Sequence, residues 1–153
     1  MSKLTHRCCT LLIVMAGSFG FTADLETEFI NSNAAFSQAA IVNSNGVKTI
    51  YVSGQVGIRD GEIPNSFIEQ TDIVFSNIAE QLEAAGATMS DVIKLTGFIV
   101  DMDAERRTVY SEVRARYFSA QSPPPASTLI GVSGLVSPNL LVEVEAIAVI
   151  EID

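Results

Sequence analysis

The sequence predicts an α+β domain in which two helices share one face of a mostly antiparallel, mixed sheet. Three observations point there. An Asn45-Gly46 pair separates two apolar runs, which is the strongest short hairpin signal because both residues tolerate positive φ. Two segments show helical spacing of apolar residues, and each is followed by a β-branched run. Finally, the order reads β-β-α-β-α-β-β, and two helices cannot cover both faces of such a sheet.

In AAIVNSNGVKTIYVSGQ the expected strands are 39–44 and 47–54, paired antiparallel. NSFIEQTDIVFSNIAEQLEAAG reads as a helix. Phe67, Thr71, Val74, Ile78, Leu82 and Ala85 make one apolar stripe, with Asn65 or Ser66 to cap it and Gly86 beyond its end. MSDVIKLTGFIVDM predicts a strand over 92–100. DAERRTVYSEVRARYF predicts a second helix, capped by Asp103, with Val109, Val113 and Tyr117 in its buried stripe. Two strands follow, 127–133 and 140–151, linked near Ser137-Pro138-Asn139.

Period-two alternation assigns the faces. In the last strand Val142, Val144, Ala146, Ala148 and Ile150 point one way and suit packing on helices. Leu141, Glu143, Glu145, Ile147 and Val149 point the other way. Val47, Thr49, Tyr51, Ser53 and Gln55 share a face in the same manner. A face this apolar is expected to be buried by self-association, whereas a polar one could remain in water.

The chain has 153 residues, 48% of them hydrophobic, which suits one domain with a sizeable core. Residues 1–23 differ from the rest. Lys3, His6 and Arg7 precede an apolar run from Cys8 to Phe21, and acids begin at Asp24. This is the layout of a secretory signal peptide, with 24–153 as the mature domain; a buried or amphipathic N-terminal element is the alternative. The run is shorter than a bilayer span needs, so a permanent anchor is not expected. Cleavage would make the protein periplasmic or secreted, and without cleavage it would be cytoplasmic. Cys8 and Cys9 are adjacent, which disfavours a mutual disulfide. The mature chain would have neither cysteine nor histidine, removing thiol nucleophiles, imidazole bases and common zinc ligands. No metal or organic cofactor is expected.

From Asp24 onward seven basic residues stand against eighteen acidic ones, a net charge of −11 that repels phosphate backbones. No nucleic-acid partner is expected. Arg106, Arg107, Arg114 and Arg116 lie among Asp101, Asp103, Glu105 and Glu112, as on a solvated helix face of mixed charge. The three tyrosines, Tyr51, Tyr110 and Tyr117, read as packing residues with satisfied hydroxyls. Gly54 and Gly57 form no phosphate loop, since no lysine follows and no helix opens there.

Six segments together resemble the RidA/YjgF family of imine-handling proteins. They are FSQA at 36–39, YVSGQ at 51–55, NIAEQLEAAG at 77–86, SDVIKLTGFIVDM at 90–102, PPPAST at 123–128 and LLVEVEAIAV at 140–149. The resemblance covers roughly residues 28–152. It implies a chorismate-mutase-like fold and a homotrimer with sheets facing the centre and ligand clefts between subunits. It further implies Glu143 as the residue that positions the attacking water. Ser53 and Gly54 would form the cleft edge, and Phe36 would stand where many members have tyrosine. Ser111 falls where asparagine is common. In the best-known branch an arginine follows Pro-Ala and pairs with the ligand carboxylate; here Pro125-Ala126 leads to Ser127. Ser127 and Thr128 can donate hydrogen bonds to a ligand oxygen but supply no charge. Both also read as hydroxyls that cap a turn after the prolines.

Two function classes follow. One is an enamine or imine deaminase, in which Glu143 orders water for attack on a C=N carbon and ammonia leaves. The other is a trimer that binds a small imine or carbonyl ligand without turning it over. A holdase-like surface protein is a third reading. Glu143 can equally be an acid lining a trimer channel, and Glu145, on the same face, could share its proton.

Overall fold

The computed structural model describes residues 25–118 and 123–152. The expected signal segment, with Cys8 and Cys9, lies outside the described residues. The elements are β1 (Leu25–Ile30), β2 (Ala39–Ser44), β3 (Val47–Val56), α1 (Phe67–Ala84), a 3-10 turn (Met89–Asp91), β4 (Val92–Val100), α2 (Ala104–Phe118), β5 (Ala126–Val132) and β6 (Val142–Glu151). They form one six-stranded sheet in the order β1-β2-β3-β6-β4-β5. Every pairing is antiparallel except β4 with β5, which α2 joins as a crossover.

The local signals act as their chemistry requires. Asn45 and Gly46 adopt φ of 51° and 76°, which closes the β2–β3 hairpin. The Ser66 hydroxyl accepts from the Glu69 amide and starts α1, while Gly86, at φ 80°, lets the chain leave it. Asp103 Oδ1 accepts from the Arg106 amide at 2.8 Å and starts α2. Both helices cover the same sheet face. Val142, Val144, Ala146 and Ala148 of β6 are buried there with Ile50 and Val52 of β3 and Leu95 and Ile99 of β4. Val74, Phe75, Ile78 and Leu82 of α1 and Val113 of α2 complete the core.

Gln70 is fully buried within this layer and makes three bonds. Its Nε2 donates to Pro64 O at 2.7 Å and Asn139 O at 2.9 Å, and its Oε1 accepts from the Leu141 amide at 2.9 Å. One side chain thus ties the segment before α1 to the segment before β6. Gly57 leaves room for it, since a Cβ there would lie 2.5 Å from Gln70 Cβ.

Two expectations need correction. The first strand was not foreseen: Leu25, Thr27 and Phe29 alternate with Glu26 and Glu28, but β1 is a short edge strand with no hairpin signal before β2. The second concerns Gln55. Val52 pairs with Ala146 and Gln55 with Val144, so Ser53 and Gly54 together oppose Glu145 alone. This β-bulge reverses the alternation. Gln55 turns to the helix side, 6% exposed, and its Nε2 donates to Gln38 Oε1 at 2.9 Å and to Ser53 O at 3.0 Å.

Candidate functional site

The bulge organises the open face of the sheet. Glu143 lies between Val56 of β3 and Phe98 of β4, and Glu145 lies between the bulge and Thr96. Both acids face away from the helices. Gly54 has no side chain, and the Glu143 carboxylate fills the space: a Cβ on Gly54 would sit 1.9 Å from Glu143 Oε1 and 2.8 Å from its Cδ. Partial burial pushes the Glu143 carboxyl above its ordinary value, and the charge of Glu145 adds to the rise.

Ser53 belongs to the same group, although its hydroxyl is already used. It donates to Ser37 O at 2.7 Å, and the Ser53 amide donates to Gln38 O at 2.9 Å. These bonds hold the segment 36–38 against the bulge. Phe36 precedes them. Its amide donates to Asn33 Oδ1 at 3.1 Å, and its ring is 54% exposed. Phe36, Ser53, Gly54 and Glu143 therefore gather at one end of β3 and β6.

The other expected residues do not join them. Ser127 pairs with Leu95, whose side chain is buried on the helix side, so Ser127 points to that side at the exposed sheet edge. Ser111 is on an exposed turn of α2, where its hydroxyl donates to Arg107 O at 2.8 Å. Thr128 pairs with Thr96 and shares the open face with Glu145. Its Oγ1 receives a bond from Lys94 Nζ at 2.5 Å, and Lys94 also donates to Leu95 O at 2.9 Å. Within one chain, then, Ser111 and Ser127 are separated from Glu143 by the thickness of the sheet.

Lys94 was missed by the sequence reading. A lysine at an outward position of an otherwise apolar strand was the available signal. Tyr110 corrects another expectation: it is 1% exposed, but its hydroxyl has no partner. Tyr117 does have one, since its hydroxyl donates to Asp72 O at 3.1 Å. A recess of about 450 Å³ between Ile68, Asp72 and Arg116 lies on the outer surface of the helices, remote from Glu143. Among the described residues no group of three or more His, Cys, Asp or Glu could hold a metal ion.

A six-stranded mixed sheet with two helices on one face and an acid seated over a bulge on the other defines a chorismate-mutase-like α+β protein. The chain belongs to the RidA/YjgF family: residues 26–150 match the family model described as Endoribonuclease L-PSP. A 2-iminobutanoate/2-iminopropanoate deaminase of Dermatophagoides farinae is 37% identical over 119 residues, covering 76% of this chain and 86% of that protein. Among solved structures, RidA from an Antarctic Psychrobacter superposes with a TM-score of 0.65 at 31% identity, over 78% of this chain and 91% of that one. The Escherichia coli TdcF structure with bound serine gives a TM-score of 0.67 at 27% identity, with the same coverages.

Proposed function

We propose that the protein hydrolyses small reactive imines to the carbonyl compound and ammonia. The observation that carries this reading is Glu143, a half-buried carboxylate of raised pKa held over Gly54 beside a second acid. Such a group is a better base near neutral pH than an ordinary glutamate. It takes a proton from water as the oxygen attacks the C=N carbon, and the nitrogen takes a proton from solvent to give a carbinolamine. The Glu143 acid then returns its proton to the amine, the C–N bond breaks, the hydroxyl proton passes to solvent, and ammonia leaves as the carbonyl forms. This chemistry calls for no metal or organic cofactor. Relatives named 2-iminobutanoate/2-iminopropanoate deaminase support the reaction class.

The assembly proposed is a homotrimer with clefts between subunits. Leu25 and Phe29 are 67% and 63% exposed on the open face, and Tyr51 and Ile130 are 47% and 40% exposed there. An apolar face of this kind needs cover. A neighbouring copy would provide it, and would bring its Ser111–Ser127 half toward this copy's Glu143. The excess of acids opposes an RNA substrate, whatever the family's description implies. Among the described residues no helix is long and apolar enough to cross a membrane. Cleavage of 1–23 would place the mature protein in the periplasm or outside the cell; without it the protein would be cytoplasmic.

The test is ammonia release from freshly generated 2-iminobutanoate, combined with subunit mixing. Wild type should be active, while Glu143→Ala and Ser127→Phe should each be inactive. Assemblies refolded from a mixture of the two variants should regain activity at clefts built from the intact halves. An inactive, well-folded wild type would reject the enzyme and leave the binding reading; an inactive mixture would reject the shared cleft.

A further inference from the structure

On the helix side of the bulge, across the sheet from Glu143, lies a polar cavity of about 430 Å³. Side chains tie its walls together. Arg59 Nη2 donates to Ser76 Oγ, Asn77 Oδ1 and Glu80 Oε1 of α1 at 3.0, 2.9 and 2.8 Å. This pins the tight turn at Asp60-Gly61, with φ of 54° and 82°, against the helix. Asn77 Nδ2 donates to Val56 O at 3.2 Å and Ile58 O at 3.3 Å. Asn31 Nδ2 donates to Gln81 Oε1 at 2.8 Å and joins the segment before β2 to the same helix.

The amides of this cavity are not all spent. Asn77 uses its oxygen and both N–H bonds, but the three glutamines that line the cavity do not. Gln55, 6% exposed, directs its Nε2 to Ser53 O and Gln38 Oε1. Ser53 O is a backbone carbonyl and can only accept, so it fixes which end of the Gln55 amide is nitrogen. Gln38 must then offer Gln55 its oxygen, and its own Nε2 is left over. Gln55 Oε1, Gln38 Nε2 and Gln81 Nε2 have no hydrogen bond among the described residues, and none of these three atoms is sealed from solvent. One free acceptor and two free donors thus line one cavity. An unmade bond on so buried a side chain costs stability unless something polar fills the site.

Charge narrows the choice of ligand. Arg59 is paired with Glu80 at 2.8 Å, while Asp60 has no ion pair among the described residues. The rim therefore carries an excess negative charge that opposes anions. Ile58 is the only apolar residue among the described residues that line the cavity, which gives a hydrocarbon little to pack on.

We infer that this cavity is a binding site for a small, neutral primary carboxamide. The ligand oxygen has two lone pairs and accepts from Gln38 and Gln81, while its NH2 group donates to Gln55 Oε1. A carboxylate of the same shape fails twice, because it has no proton for Gln55 and its charge meets Asp60. The site is separate from Glu143, since the bulge turns Gln55 to the helix side and Glu143 faces the open side. It stands whether or not the protein hydrolyses imines.

The test is calorimetric titration of the full chain with succinamide, a neutral molecule with two primary carboxamides. Wild type should bind it saturably. Succinate, of the same length but charged, should not bind. Tetramethylsuccinamide, which has no N–H for Gln55, should not bind either. Gln81→Glu keeps an oxygen for Asn31 but turns a free donor into an acceptor, and should weaken succinamide binding by roughly tenfold or more. Glu143→Ala should bind succinamide as wild type does. Failure of wild type to bind succinamide, equal binding of succinate or of the methylated amide, or undiminished binding by a folded Gln81→Glu variant would overturn the site. Loss of binding in Glu143→Ala would place the amide on the open face and overturn it as well.

Discussion

The Glu143 carboxylate occupies the place where a side chain at position 54 would begin: a Gly54 Cβ would lie 1.9 Å from Glu143 Oε1. The β-bulge creates this relationship, since it sets Ser53 and Gly54 against one residue of β6 and leaves Gly54 beside the acid. Gly54→Ala should displace the carboxylate and lower imine turnover by roughly tenfold to a hundredfold, because misplacing a catalytic group by an ångström costs that much. The proposed trimer should persist, since the nearest atoms belong to a movable side chain. Steady-state kinetics beside light scattering checks both; unchanged kcat would remove Glu143 from the mechanism.

The pH response follows from the raised Glu143 pKa. The folded chain holds this proton more tightly than the unfolded chain does, so the contribution to stability is present below the ordinary value of 4.5. It is lost as pH rises through the higher folded value. Glu143→Gln should remove that loss from a series of urea titrations. The acid limb of kcat/KM should likewise have its midpoint above 4.5 in wild type. Glu145→Gln should move that limb to lower pH, since the Glu145 charge contributes to the shift. A limb that does not move would dissociate the two acids.

Gln70 offers a prediction about stability alone. Gln70→Ala leaves the Pro64 and Asn139 carbonyls and the Leu141 amide without their partner and opens a cavity. The expected loss is about 2–4 kcal/mol in urea unfolding, with any activity change explained by unfolding. Gly57→Ala should cost about 1–3 kcal/mol by pressing on the same side chain.

The open face predicts its own perturbation. Tyr51 pairs with Ile147 and Ile130 with Phe98, so both stand on the sheet surface opposite the helices. Tyr51→Asp with Ile130→Asp should leave the helix-side core untouched and convert the proposed trimer to monomers in sedimentation. An intact trimer from that double variant would mean that the copies meet elsewhere.

Much of this was legible in the sequence, for reasons that differ by residue. Asn45-Gly46, Ser66, Gly86 and Asp103 are local signals whose chemistry acts within a few residues, and all four act as read. The two faces of β6 were readable because alternation is unbroken there. Alternation failed at Gln55, where a bulge adds one residue and no local signal marks it except a glycine. Tyr110 was read as a satisfied core residue, because a hydroxyl's partner depends on tertiary neighbours that a sequence does not display. Glu143 was named through family resemblance. Its seat over Gly54 required the strand register, as did the separation of Ser127 from it across the sheet.

The most direct measurement is the rate of ammonia release from freshly generated 2-iminobutanoate by the assembled chain from Asp24 onward, beside Glu143→Ala. The account predicts a wild-type rate well above buffer and a loss of roughly a hundredfold or more in a variant that still assembles. A wild-type rate equal to buffer, or a variant as fast as wild type, would contradict it.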